Sequence, residues 1–269
     1  MSARNRMRLL PLALLLASVA TGSIISQEER PVVPATPPGP GYNPETFRDE
    51  RAEKILRAAI DAQGGEAALL ARKTVYFKRR ITRFDAPEPL QGTITVWFKR
   101  PLKLRQEVAY AHGRQIRVFD GEKAWVDEGE GPKLLGPMMG RMMERGVMEI
   151  DSPLIYLEGS LRYLNVAKDL NGNLTQKLSW RSEGYARDLM VDVATSHLSV
   201  VGEFDTPAGA SSLIKHFEDF RPVERVVLPF KQSSLRNEQK YSETEMIEVR
   251  FNEPIDDSLF EFPGPAESD

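Results

Sequence analysis

The chain contains no cysteine and only three histidines in 269 residues. The first absence excludes thiol catalysis, disulfides, iron–sulfur clusters, thiolate zinc sites and lipid attachment through an N-terminal cysteine. His112, His197 and His216 are far apart and have no metal-ligand spacing. Phosphate-binding and dinucleotide-binding glycine loops are missing, as are the GxSxG and HExxH signatures. A strong basic excess is missing too. Lys plus Arg number 36 against 39 Asp plus Glu, a net charge of −3, so the sequence predicts no nucleic-acid partner. The 39 acids sit mainly on the polar faces of strands and helices, which reads as solvated surface rather than a catalytic carboxylate pair. The expectation is a protein that is not an enzyme and uses no cofactor or metal.

What is present begins with an address. Arg4, Arg6 and Arg8 precede the apolar run Leu9–Ala20, and Ser18-Val19-Ala20 offers small residues for cleavage. This is the layout of a secretory signal peptide over residues 1–20. The run is shorter than the ~20 residues of a membrane span. Export with cleavage is therefore expected, an uncleaved N-terminal anchor being the lesser alternative. Removing residues 1–20 takes three Arg and no acid, leaving a net charge of −6. Residues 21–43 are rich in proline and read as a disordered linker. A single domain over 44–264 and a short tail, 265–269, complete the expected organisation.

The domain is predicted to open with a helix capped at Asn43-Pro44. Its stripe is Ala52, Ile55, Leu56, Ala59 and Ile60, and Gly64-Gly65 ends it. Glu66–Ala71 is compatible with one more turn. Strand periodicity follows. Ile94, Val96 and Phe98 alternate with Thr93, Thr95 and Trp97; Leu102, Leu104 and Val108 alternate with Lys103, Arg105 and Glu107; Leu189, Val191 and Val193 alternate with Met190 and Asp192; Ile247, Val249 and Phe251 alternate with Met246, Glu248 and Arg250. Turn signals near every ten residues point to an antiparallel meander closing into a sandwich or barrel. A helical insertion is predicted from Leu134, with Leu134, Leu135, Met138, Met139, Met142, Met143, Val147 and Met148 on one broad face. A second helical stretch is expected at Pro153–Tyr163. Four of the nine methionines fall in Pro137–Met143. Methionine suits surfaces that accept apolar partners of varied shape, so the insertion reads either as the lining of an acyl-chain cavity or as ordinary core.

Read in order, several phrases resemble the lipoprotein-localisation (LolA/LolB-like) superfamily, especially its exported outer-membrane lipoprotein-sorting-like members. These are the helix ending in Gly64-Gly65, the strands Gly92–Pro101 and Lys103–Val108, and Val118-Phe119-Asp120-Gly121-Glu122-Lys123-Ala124-Trp125. Val191-Asp192-Val193-Ala194-Thr195-Ser196-His197-Leu198 resembles the family's D-x-x-T-x-x-L strand pair. Phe217–Val223, Val227–Phe230 and Phe251–Pro263 complete the resemblance, which spans about residues 50–263. It implies a mainly β fold with helices (α+β): an unclosed antiparallel barrel of about eleven strands with helices across its concave face.

The resemblance also implies a monomeric periplasmic carrier. Its partners would be lipid or lipoprotein acyl chains, with transient membrane contact only and no catalysis. The alternative that the same fold offers is a protein-interaction or stress-sensing module with envelope proteins as partners. Large apolar groups on strands or on the insertion are the candidate cavity lining: Trp97, Phe119, Trp125, Met138, Met142, Met143, Leu157 and Trp180. The face chosen by Trp97 is open, because Ile94, Val96 and Phe98 claim the opposite side.

Overall fold

A computed structural model describes residues 46–136, 143, 153–182, 185–204 and 212–264. The signal segment, the linker, the tail, Met138 and Met142 lie outside the described residues.

The first helix, α1, spans Glu50–Ala62, and a short α2 spans Glu66–Leu70. Asp49, not Asn43, is the capping residue: its carboxylate accepts the Ala52 N–H at 3.0 Å. All five predicted stripe residues are buried. Gly64 and Gly65 end α1 with φ of +111° and +82°, and the Gly65 N–H donates to the Ile60 carbonyl. A side chain at Gly64 is excluded twice, by this φ and by the Arg225 carbonyl, which stands 2.3 Å from where a Cβ would lie.

Among the described residues thirteen strands follow, against about eleven expected. They are β1 (Thr74–Arg83), β2 (Leu90–Lys99), β3 (Lys103–Tyr110), β4 (Gly113–Phe119), β5 (Ala124–Asp127) and β6 (Pro132–Leu134). The series resumes with β7 (Ser160–Lys168), β8 (Leu174–Ser182), β9 (Tyr185–Asp192), β10 (Leu198–Phe204), β11 (Ser212–Val223), β12 (Val226–Arg236) and β13 (Gln239–Phe251). They form one antiparallel sheet in the order β6-β5-β4-β3-β2-β1-β13-β12-β11-β10-β9-β8-β7. The sheet is not closed, since β6 and β7 stand at opposite ends. Each neighbour is the next hairpin in sequence except at the centre, where β1 pairs with β13. That pairing ties the two ends of the domain together.

The phrases that carried the resemblance are turn chemistry. Asp120 accepts the N–H groups of Glu122 and Lys123 at 2.8 and 2.7 Å and so builds the β4–β5 hairpin. Asp192 accepts from the N–H groups of Ala194 and Thr195 and from the Thr195 hydroxyl, between β9 and β10. A short carboxylate that satisfies its own backbone is how Asp favours turns.

Three expectations are corrected. Leu134 ends strand β6 and is exposed, so it does not begin a helix, although Met143 is helical and buried. Only Leu154–Leu157 is helical in the stretch Pro153–Tyr163, as a single 3₁₀ turn, because Ser160 already pairs with Arg181 in the sheet. In β13 the pairing with β1 skips Ile247: Lys78 faces Glu248 and Arg79 faces Met246. This bulge puts the extra residue outside the alternation. Ile247 is exposed and Met246 is buried, the reverse of the period-2 reading.

One face of the sheet shares a single core with α1. It includes Val75, Val96, Phe98, Leu104, Phe119, Leu161, Leu178, Leu189 and Phe251, packed with the helix stripe. The start of α1 is held at β7, where the Asp49 N–H donates to the Leu161 carbonyl at 2.8 Å. Its end is held at β12, where the Val227 N–H donates to the Gln63 carbonyl at 3.1 Å. The opposite face carries a smaller cluster: Ile116, Val118 and Trp125, packed with Trp97, Ile255, Leu259, Phe260 and Phe262. The C-terminal segment, with a 3₁₀ turn at Asp257–Phe260, covers this face. Lys99 and Lys103 both donate to Asp257 and fasten it there.

Candidate functional site

The two faces separate the residues singled out from sequence. Phe119, Met143 and Trp180 are buried in the large core, and Leu157 packs against it. Trp97 and Trp125 lie on the other face, under the C-terminal segment, with Trp125 edge-on to Phe262 at 6.2 Å. The alternation of β2 decides this, because Val96 and Phe98 take the large core and Trp97 must take the opposite side.

A cavity of about 220 Å³ opens on the large-core face, and none of the described candidates is among its lining residues. Its apolar wall is Phe77, Leu198, Val201, Phe217 and Leu228, with Pro229 and Tyr156. Its polar wall is Gln63, Arg72, Arg79, Arg187, Glu203, Lys215 and Gln232. The sheet register explains how these residues meet. Arg187 faces Glu203 across β9 and β10, Val201 faces Lys215 across β10 and β11, and Phe217 faces Gln232 across β11 and β12. From β1, Phe77 and Arg79 project to the same side as Val75.

Most of the polar wall is compensated internally. The Lys215 ammonium donates to Glu203 Oε1 at 2.6 Å, and Arg187 lies 3.7 Å from the same oxygen. Arg72 is buried, donates to the Leu69 carbonyl at 3.0 Å and lies 5.6 Å from the centre of the Phe251 ring. Arg79 is different. Its guanidinium sits over the Phe77 ring at 4.6 Å, and no carboxylate among the described residues pairs with it. Removal from water, with no opposing charge, pushes it down to about 10. At the wall next to α1, the Gln63 side-chain oxygen is buried without a donor among the described residues.

Further along β1 the same face carries Arg83, which pairs with Asp85 and lies 4.6 Å from the Tyr241 ring centre. Its guanidinium is held above the usual arginine range by Asp85 and Tyr241, against burial. Running along β1, this face therefore reads apolar (Val75, Phe77), cationic (Arg79), apolar (Ile81), cationic (Arg83). On an alternating strand, the run Tyr76-Phe77-Lys78-Arg79-Arg80 would put aromatic groups inside and cations outside. That holds for Arg80, which is exposed and pairs with Glu245, but Arg79 is on the inner side with Phe77. The signal was available as the phase of Val75 and Phe77, two and four residues before Arg79.

No group of three or more His, Asp or Glu able to hold a metal occurs among the described residues. Among them no helix is long and apolar enough to cross a membrane.

No family model matches the sequence, and no curated protein matches it. Solved structures do match in fold. One is described as an outer membrane lipoprotein-sorting protein domain, from Vibrio parahaemolyticus, with TM-score 0.50 and 15% identity. Another is a LolA superfamily protein from Nitrosomonas europaea, with TM-score 0.56 and 14% identity. A third, with TM-score 0.51 and 10% identity, is a DUF1329 family protein from Desulfovibrio piger. Each alignment covers 78% of this chain and 97% of the other. The resemblance read from the sequence phrases is thus matched in three dimensions: the fold is that of LolA superfamily and lipoprotein-sorting structures.

Proposed function

We propose that this protein is an exported, periplasmic, non-catalytic carrier that binds a lipid or lipoprotein acyl chain on the inner face of its half-barrel. The observation that carries the reading is the cavity: an open, largely apolar recess between Phe77, Val201, Phe217 and Leu228, in a fold shared with lipoprotein-sorting structures. Helix α1 lies across the β7–β12 half of that face and forms one wall through Gln63. Phe119, Leu157 and Trp180 belong to the packed core of that face and do not line the recess. Trp97 and Trp125 serve the other face and make no ligand contact.

The cavity volume limits the cargo. Drug-sized ligands occupy pockets of ~300–1,000 Å³, and 220 Å³ is smaller. One chain end fits, and several chains together do not. Each buried CH₂ contributes about 0.8 kcal/mol before ordering costs, so a single short insertion gives weak, reversible binding. Reversibility is what a carrier needs, because cargo must leave.

The test is binding of the neutral apolar dye N-phenyl-1-naphthylamine, followed by fluorescence. The wild-type chain should bind it and lose it to competing phospholipid. Phe217→Asp and Leu228→Asp, which charge the apolar wall, should lose it with unchanged far-ultraviolet circular dichroism. Retained binding in both variants would remove the cavity from the reading.

A further inference from the structure

The cavity's charge identifies a class of cargo. We propose that it takes an anionic amphiphile, whose head group pairs with Arg79 and whose tail lies against Phe77, Phe217 and Leu228. The proposal rests on the carrier reading above and narrows it.

Two observations support it. Four cations line the recess, Arg72, Arg79, Arg187 and Lys215, and Glu203 is the one carboxylate among its described lining residues. Lys215 and Arg187 share Glu203, whereas Arg79 stands against Phe77, and apolar walls focus the field of such a cation. The second observation is Arg79 itself. The guanidinium stands over an aromatic ring and has no carboxylate among the described residues. A cation taken partly out of water without a counter-charge costs free energy, and an anion brought beside it recovers more there than in water. The guanidinium fork also fits the two oxygens of a carboxylate or phosphate. The surrounding Phe77, Val201, Phe217 and Leu228 would be wasted on a small hydrophilic ion, and they favour an anion that carries a chain. A neutral lipid would leave the cation uncompensated, and a cationic one would be repelled.

The delipidated mature chain would be titrated by calorimetry at pH 8, below micelle concentrations. The probes are dodecanoate, dodecyl phosphate, dodecanol and dodecyltrimethylammonium, with acetate and inorganic phosphate as anions without tails. Dodecanoate or dodecyl phosphate should bind at least about tenfold tighter than dodecanol, as expected for a charge-assisted contact. Whichever of the two is tighter names the head, carboxylate or phosphate. The cationic probe should bind most weakly. Arg79→Gln should bring the anionic probes to within about threefold of dodecanol. Arg79→Lys should restore part of the difference, and Arg80→Gln, on the other side of the same strand, should change nothing.

Equal binding of dodecanoate and dodecanol to the wild-type chain would overturn the charge assignment and leave the carrier reading standing. This comparison needs no variant, so a misfolded Arg79 mutant cannot obscure it. Acetate or phosphate binding as tightly as the tailed anions would make this a small-anion site and overturn the proposal. Binding of none of the probes would overturn both readings.

Discussion

Two places in this molecule set an arginine against aromatic rings, and they are finished differently. On the outer face Arg105 lies 6.0 Å from the ring centres of both Trp97 and Trp125. It donates to Glu107 at 2.8 and 2.6 Å and to the Leu259 carbonyl at 3.0 Å. The C-terminal segment is laid over the whole group. On the inner face Arg79 lies over Phe77 beside an open recess and has no carboxylate among the described residues. The residue types are alike, while the charge compensation and the cover are not. A cation–aromatic pair supplied with its own acid and a lid of chain is construction. The same pair left open and uncompensated has room for something from outside.

This contrast can be broken most severely on the outer face. Phe260→Ala or Trp125→Ala should destabilise the fold by about 3–5 kcal/mol, the usual cost of deleting a buried aromatic. Urea denaturation reads this directly, and ligand affinity in the surviving folded fraction should be unchanged. Glu107→Gln leaves Arg105 half-buried without its acid and should cost about 1–3 kcal/mol. Arg79→Met removes a cation that has no acid to lose. It should leave stability unchanged or raise it by roughly 1 kcal/mol, while preference for anionic probes disappears. Opposite signs of stability change for Glu107→Gln and Arg79→Met would sharpen the comparison. A large loss of stability in Arg79→Met would dissolve it, because Arg79 would then be structural as well.

A smaller effect is expected from acid. Burial lowers the imidazoles of both His197, stacked on Phe220 at 4.1 Å, and His216, buried in β11. The native state therefore binds these protons less readily than the unfolded chain. Their contribution to stability is complete above the ordinary value of 6.5 and shrinks as pH falls below it. Midpoints of thermal unfolding should decline from pH 7 to 5, and a His197→Asn, His216→Asn double variant should flatten that decline. The smallest effect belongs to Asp257→Asn. It releases the half-buried Lys99 and Lys103 from an exposed carboxylate, and surface ion pairs of this kind barely move an unfolding midpoint.

Much of the fold could be read from residue order. The helix stripe, the glycine stop after Ile60, the hairpin aspartates and the alternation of Ile94, Val96 and Phe98 with Trp97 were all visible, because each is local chemistry, although the inward side of β2 stayed open. Ile247 was misread because a bulge is a property of two strands, and nothing in β13 alone shows which residue its partner will skip. The 3₁₀ turn at Leu154–Leu157 looked like a longer helix because Tyr156, Leu157 and Leu161 share a helical spacing that the sheet overrides at Ser160. The site was less legible. Choosing large apolar groups found packed core and outer cladding, since size selects for burial. The recess instead combines medium apolar residues with long cations from five strands, α1 and the α2–β1 turn. Only the phase of β1, which puts Arg79 on the side of Phe77, hinted at it.

The central claim is that the inner recess holds an acyl-chain lipid. Native mass spectrometry of residues 21–269, recovered from the periplasm of an expressing host, tests it most directly. The account predicts a stoichiometric lipid adduct that organic extraction removes and identifies, and that Leu228→Asp abolishes. A bare protein mass that stays bare when phospholipid and fatty acid are added would contradict it.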